Sequence, residues 1–291
     1  MIIKPKFKVP PEFAMSCIDQ GMVTRLIQVN RTKTGADTPA GAFSKHSNLS
    51  RTKTGADTPA GAYSYETSGG APALPYMTNL ALWVDAEDST ITGDPDITQW
   101  TDLSGNNRHL TQDTATHYPQ KTTLGAWIAV QFDGTADHFE ITSGIPHGDF
   151  TVIAVVQIAN TATFRTVIGG DTNAFQFRFN AGENLCMAKT GIDIVYSNCY
   201  ATDCPDGAIE IVAGKWDDAA AYKFWINGAA DGNGATALDV SANTTYVGKS
   251  MTAATELFSG YLLALAVYTE YLSDANVTAV MDYYNAIYSV Y

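Results

Sequence analysis

From about residue 76 onward, short apolar runs alternate with turns rich in Gly, Asn, Asp and Pro. The runs are LALWVDA at 80–86, WIAVQF at 127–132, HFEIT at 138–142, FTVIAVVQI at 150–158 and RTVIGG at 165–170. They continue with FQFRFN at 175–180, AIEIVAG at 208–214, YKFWIN at 222–227, TTYVG at 244–248 and FSGYLLALAVY at 258–268. Runs of this length between turn residues predict strands. Phe175, Phe177 and Phe179 alternate with Gln176, Arg178 and Asn180, which predicts a strand with one wet face. FTVIAVV is apolar at every position and belongs in mid-sheet, covered on both sides. Many short strands without alternating helices predict an all-β antiparallel sandwich. One helix is expected, at the end. Ser273 is a suitable N-cap and Asp274 suits the positive end of the helix dipole. Apolar residues then recur at Val277, Val280, Met281, Tyr284, Ile287 and Tyr288.

Residues 1–75 have a different texture. RTKTGADTPAGA occurs at 31–42 and again at 51–62, each copy followed by an aromatic residue and a serine (Phe43-Ser44, Tyr63-Ser64). Two copies are too few for a solenoid. Gly, Thr, Pro and Asp disfavour a packed helix or strand within the repeat, and its TPAG portions read as turns. Residues 65–76 form a Gly/Pro-rich joint. Residues 1–75 therefore read as an extended arm, and 76–291 as one large β domain. A stretch with so little apolar surface does not order itself, so it is either a linker or an arm ordered by neighbouring chains. The arm reading is preferred, with Arg31, Lys33, Phe43, Arg51, Lys53 and Tyr63 as assembly contacts.

Composition and charge sharpen this division. Hydrophobic residues make up 45% of the chain and charged ones 16%, enough apolar surface for a sizeable core. The net charge of −13 is unevenly spread. The arm holds nine Lys/Arg against five Asp/Glu, and the rest eight against twenty-five. An acidic domain repels nucleic acid and anionic membranes, while a basic arm suits an acidic partner surface. The N-terminus has no apolar run of signal-peptide length, so export by the usual route is not expected. No stretch is long and apolar enough to span a membrane as a helix. Cys17, Cys186, Cys199 and Cys204 fit neither a zinc site nor a CxxC motif. Cys199 and Cys204 could pair in an oxidising environment, and free thiols fit equally well.

Four stretches, in order, resemble the LamG-like jelly-roll family, the broad group of laminin-G modules and concanavalin A-like lectins and glucanases. The first is a W-x-D-x-SGN turn (Trp100, Asp102, Ser104, Gly105, Asn106) after LALWVDAEDST. The second is an FDG turn, Phe132, Asp133 and Gly134. The third is an NG hairpin, Asn227 and Gly228; the fourth is a last strand followed by an L-S-D helix. The resemblance covers nearly all of 76–291 and implies an antiparallel jelly-roll sandwich. Trp100 is expected in the core, Asp102 and Asp133 in Asx-type turn bonds, and the glycines at turn conformations. The family often carries a glutamate near the position of Ala264, and this chain has none.

Glucanases of this fold carry two carboxylates at alternate positions on one strand, roughly 5 Å apart in retaining enzymes. No pair of glutamates has that spacing here: Glu87-Asp88, Glu140, Glu183, Glu210 and Glu256 have no acidic residue at i+2 or i+4, and Glu270 has only Asp274, in the expected helix. His46, His109, His117, His138 and His147 are widely spaced and read as turn or surface residues, so no metal site is expected from them. No cofactor is implied, although Asp85/Asp88 and Asp94/Asp96 offer oxygens for calcium. Solvated turn carboxylates are the preferred reading of those pairs. For sugar binding, aromatic rings beside planar polar groups are needed. The loop 196–206 offers Tyr196, Asn198, Tyr200 and Asp203, and the loop 170–174 offers Asp171 and Asn173.

The leading expectation is a non-enzymatic structural protein of a bacteriophage-like virion, such as a capsid decoration, head fibre or tail appendage. Its arm would dock on capsid or tail subunits, and its lectin-like head would assemble with copies of itself or bind host surface glycan. The alternative is a secreted or cell-surface bacterial carbohydrate-binding module. A glycan-processing enzyme is disfavoured by the missing carboxylate pair.

Overall fold

The computed structural model describes residues 49–53, 63–67, 73–159, 164–170, 173–180, 184–189, 192–196, 207–217, 221–235, 240–250 and 256–291. The chain divides into two units, 1–72 and 73–291. In the first, β1 (Leu49–Lys53) and β2 (Tyr63–Thr67) pair antiparallel, with Arg51 opposite Tyr65 and Lys53 opposite Tyr63. The expectation of a repeat without strand is corrected for Arg51–Lys53, the start of its second copy. Gly and Pro disfavour strand only at 54–62; the Thr and Tyr residues flanking that centre suit extended backbone. Arg31, Lys33 and Phe43 lie outside the described residues.

The second unit contains β3 (Leu80–Asp85), β4 (Ile91–Thr92), β5 (Gln99–Trp100), β6 (Leu110–Thr111), β7 (Gln120–Leu124) and β8 (Trp127–Asp133). It continues with β9 (Phe139–Ile145), β10 (Phe150–Ile158), β11 (Arg165–Gly170), β12 (Phe175–Phe179), β13 (Leu185–Lys189) and β14 (Ile192–Tyr196). The remaining elements are β15 (Glu210–Trp216), β16 (Ala221–Ile226), β17 (Ala229–Ala235), β18 (Thr244–Val247), β19 (Ser259–Tyr268) and helix α1 (Asp274–Tyr288). One sheet runs β17-β16-β15-β10-β19-β8-β7, with β3 pairing the far half of β19. The other runs β14-β13-β12-β11-β18-β9-β6-β5-β4, and every pairing is antiparallel. This is the expected sandwich.

Two apolar layers hold it. Between the sheets lie Trp100, Leu110, Phe139, Val152, Ala154, Phe175, Phe177, Trp216 and Val267, with Phe150 stacked on Phe175 at 4.6 Å. The opposite face of the first sheet buries Trp83, Ile153, Val155, Ala264 and Ala266 against Val277, Val280, Met281, Tyr284 and Tyr288 of α1. β10 is therefore covered on both sides, which is why its sequence has no polar alternation. The α1 N-terminus is held as its sequence suggests: Ser273 accepts a hydrogen bond from the Asn276 N–H. Asp274 receives Lys215 and Lys223, each at 2.6 Å.

Candidate functional site

The face of the nine-stranded sheet turned away from the core carries the polar chemistry. Trp100, Leu110, Phe139 and Val247 point into the sandwich, so their strand neighbours Gln99, Thr111, Glu140 and Tyr246 point outward. Register lines these up across the sheet. Thr92 pairs with Gln99, Gln99 with Thr111, Thr111 with Glu140, Glu140 with Tyr246, and Tyr246 with Gly169. Lys249 lies over the Tyr246 ring at 5.1 Å, and His138 meets its edge at 5.9 Å. His117 in turn lies 5.0 Å from His138. Burial, with the positive charge of Lys249, holds the His138 pKa below its ordinary value, so the ring is neutral at pH 7.

Farther along the same face, β12 departs from the sequence reading. Gln176 and Arg178, expected on a wet face, are buried. Gln176 donates to the Ser250 hydroxyl at 2.9 Å, Arg178 pairs with Glu256 at 2.9 Å, and the Phe164 ring lies 4.3 Å from the guanidinium. Residues adjoining β11 and β19 cover this half of the face, a non-local contact that period-2 alternation cannot show.

The predicted ligand residues are distributed unevenly. Asp171, Asn198, Tyr200 and Asp203 lie outside the described residues. Asn173 occupies the β11–β12 turn at φ +72°, where its carbonyl accepts from the Ser241 and Ala242 N–H groups. It follows Gly169, the cross-strand partner of Tyr246, by four positions. Tyr196 ends β14 in register with Cys186 and Arg178, toward the other end of these strands. The structure thus separates Asn173 from Tyr196. Sequence reasoning missed the grouping of His117, His138, Glu140, Tyr246 and Lys249. Its one local signal is the pair His138 and Glu140 at i and i+2, the histidine buried just before β9 and the glutamate outward on it.

The motif carboxylates do structural work, as expected. Asp133 accepts from the N–H groups of Thr135, Ala136 and Asp137. Burial opposes its charge, but these bonds and that of the Thr135 hydroxyl hold its pKa down to about 2. Its neighbour Asp137 is pushed up to about 6 by burial and by the Asp133 charge. A pair so separated resembles an acid/base couple. Here Asp133 is saturated by backbone donors, and Asp137 accepts from the Asp133 N–H at 3.0 Å, so the pair locks the turn. Among the calcium candidates, Asp85 is not solvated: it is buried and accepts from the Tyr288 hydroxyl at 2.8 Å. No group of three His, Cys, Asp or Glu side chains converges on a metal position among the described residues. Nor is any helix there long and apolar enough to cross a membrane.

Comparison with known proteins places this architecture. Residues 132–278 match the model of the concanavalin A-like lectin/glucanases superfamily, described as Laminin_G_3. No curated protein matches the chain in sequence. Among solved structures, the chain is similar to the binding domain of Paraclostridial Mosquitocidal Protein 1, at TM-score 0.51 and 14% identity over 72% of this chain and 53% of that one. It is similar to domain 4 of AbnA, an extracellular arabinanase from Geobacillus stearothermophilus in complex with arabinotriose. There the TM-score is 0.53 and identity 17%, over 70% of this chain and 98% of that one. A third is the ligand binding domain of botulinum neurotoxin serotype D in complex with N-acetylneuraminic acid, at TM-score 0.53 and 12% identity over 71% and 51%. The chain spans about half the length of the two toxin domains. At these identities the likeness is one of fold.

Proposed function

The chain belongs to the concanavalin A-like lectin/glucanases superfamily, and from that premise we propose that residues 73–291 form a non-catalytic glycan-binding head. The carrying observation is the outward row Gln99–Thr111–Glu140–Tyr246 with Lys249 over the tyrosine ring. An aromatic ring offers an apolar surface for the C–H face of a sugar, while amide, hydroxyl, carboxylate and ammonium groups match its hydroxyls. Glu140 is the one carboxylate in that row, so the row lacks the second carboxylate that retaining hydrolysis requires. The arabinotriose and N-acetylneuraminic acid complexes of the similar domains support a saccharide as the ligand class.

On a glycan array, the full chain is expected to retain a subset of oligosaccharides. Tyr246→Ala should weaken them about tenfold, the equivalent of about 1.4 kcal/mol. Retention of none, or unchanged binding by the variant, would remove this reading. Incubation with laminarin should release no reducing ends; release abolished by Glu140→Gln would show a catalyst instead.

For the arm we propose anchorage in a virion, on capsid or tail subunits, with the head in several copies. The support is the contrast between the basic first quarter and the acidic remainder, together with the duplicated segment. Native mass spectrometry separates this from a secreted or cell-surface module: an oligomer is expected for the first, a monomer for the second.

A further inference from the structure

We propose that His117 and His138 form a binding site for a borderline divalent transition-metal ion. The proposal does not rest on the glycan reading, although His138 meets the Tyr246 ring of that row. Two imidazoles from positions 21 residues apart are brought together by a built framework. The His138 N–H donates to the His117 carbonyl at 3.3 Å, and the His117 N–H donates to the Thr114 carbonyl at 2.9 Å. Buried Gln112 bridges the same two segments: its side-chain amide donates to the His138 carbonyl at 2.8 Å, and its oxygen accepts the Thr114 N–H at 2.9 Å.

The orientation of His138 is set as a metal ligand requires. Its Nδ1 lies 2.8 Å from the Ala136 carbonyl oxygen. A carbonyl can only accept, so Nδ1 carries the proton and Nε2 keeps its lone pair. Second-shell carbonyls orient ligating histidines in this way. The His117 ring has no hydrogen-bond partner among the described residues.

The spacing also fits. With a Zn–N bond of about 2.1 Å, each ring centroid lies about 3.2 Å from the ion, so two imidazoles at 90–110° around it have centroids about 4.6–5.3 Å apart. The observed separation is 5.0 Å. Glu140 stands two positions after buried His138, and its charge counters that of Lys249 at the ring. Among the described residues no third protein ligand converges, so water would complete the coordination. Imidazole donors favour zinc, copper or nickel over magnesium and calcium.

The test is titration calorimetry of the full chain with zinc chloride, with magnesium and calcium chloride as controls. One saturable zinc ion per chain is expected, with none of either control ion. His117→Ala and His138→Gln should each lower zinc affinity at least about tenfold. Zinc should also raise the melting temperature of the parent chain and not that of His117→Ala. If His138→Gln does not fold, His117→Ala decides, because His117 lies on a partly exposed turn. Absence of saturable zinc heat, or undiminished binding by His117→Ala, would overturn the proposal. Mere ring packing would give that result.

Discussion

Asp102→Ala is expected to lower the melting temperature of the chain by roughly 10 °C or more, the largest loss from any single motif residue. The side chain is buried and accepts four hydrogen bonds. One oxygen takes the Trp83 and Ser104 N–H groups, at 3.0 and 2.9 Å. The other takes the Ser104 hydroxyl and the Arg108 N–H, at 2.8 and 2.9 Å. Alanine would leave these donors in a space closed to water, at about 1–3 kcal/mol for each group left unsatisfied. The damage would spread, because Asp102 joins β3 to the loop after β5. Arg108 in that loop also donates to the carbonyls of Ala81 and Gly144. Asp102→Asn keeps one acceptor oxygen and should fall between parent and alanine variant. Calorimetric melts of the three chains provide the measurement. An alanine variant melting within about 2 °C of the parent would show that the motif does not hold the fold.

That role was legible in advance because it is local: an Asx turn is written within the residues of W-x-D-x-SGN. Long apolar strands were legible for a related reason, since β10 and β19 carry enough apolar side chains to show burial on both faces. The two-residue strands β4 and β6, the polar β7, and β13 and β14 were missed, and the Gly-rich β17 was marked only by the NG hairpin before it. Their extended backbone is imposed by the strands beside them, and QKTTL or AADGNGA carries no period of its own. The same limit governs the site. Tyr246 lay within a recognised strand, but its neighbours Glu140 and Lys249 depend on register and on the path after β18. The histidines appeared scattered, and antiparallel pairing with a turn brought two of them together. Cross-sheet register is a tertiary property, so the residue types were visible and their grouping was not.

Asp85→Asn is expected to stabilise the chain above pH 7 by a few kcal/mol and to change little near pH 4. Asp85 sits at the end of β3 between the first sheet and α1, opposite Ala264. One of its oxygens accepts from the Tyr288 hydroxyl and the Glu87 N–H, while the other is buried without a partner. Burial pushes its pKa up to about 7, against the opposing pull of the Tyr288 bond and with smaller additions from Asp88 and Glu87. The groups facing it from α1 are Tyr283, Tyr284 and Tyr288, whose own pKa values are raised, chiefly by burial. None supplies a positive charge. A carboxyl whose folded pKa is raised contributes stability that is fully present below its unfolded value and is lost as pH rises through the folded one. For Asp85 the loss runs from about pH 4 to about pH 7. Asparagine keeps an acceptor for Tyr288 and cannot ionise, so the difference between variant and parent should grow across that window and level off above it. Asp137, also raised, titrates in both proteins and cancels in the difference. Urea melts at half-unit steps from about pH 4 to 8 would read this out. Tyr288→Phe should act in the opposite sense, costing more at pH 8 than at pH 4, because it removes a donor that the carboxylate needs more than the acid does. A pH-independent difference between Asp85→Asn and the parent would mean that the buried carboxyl keeps its charge throughout, held by contacts other than the Tyr288 hydroxyl.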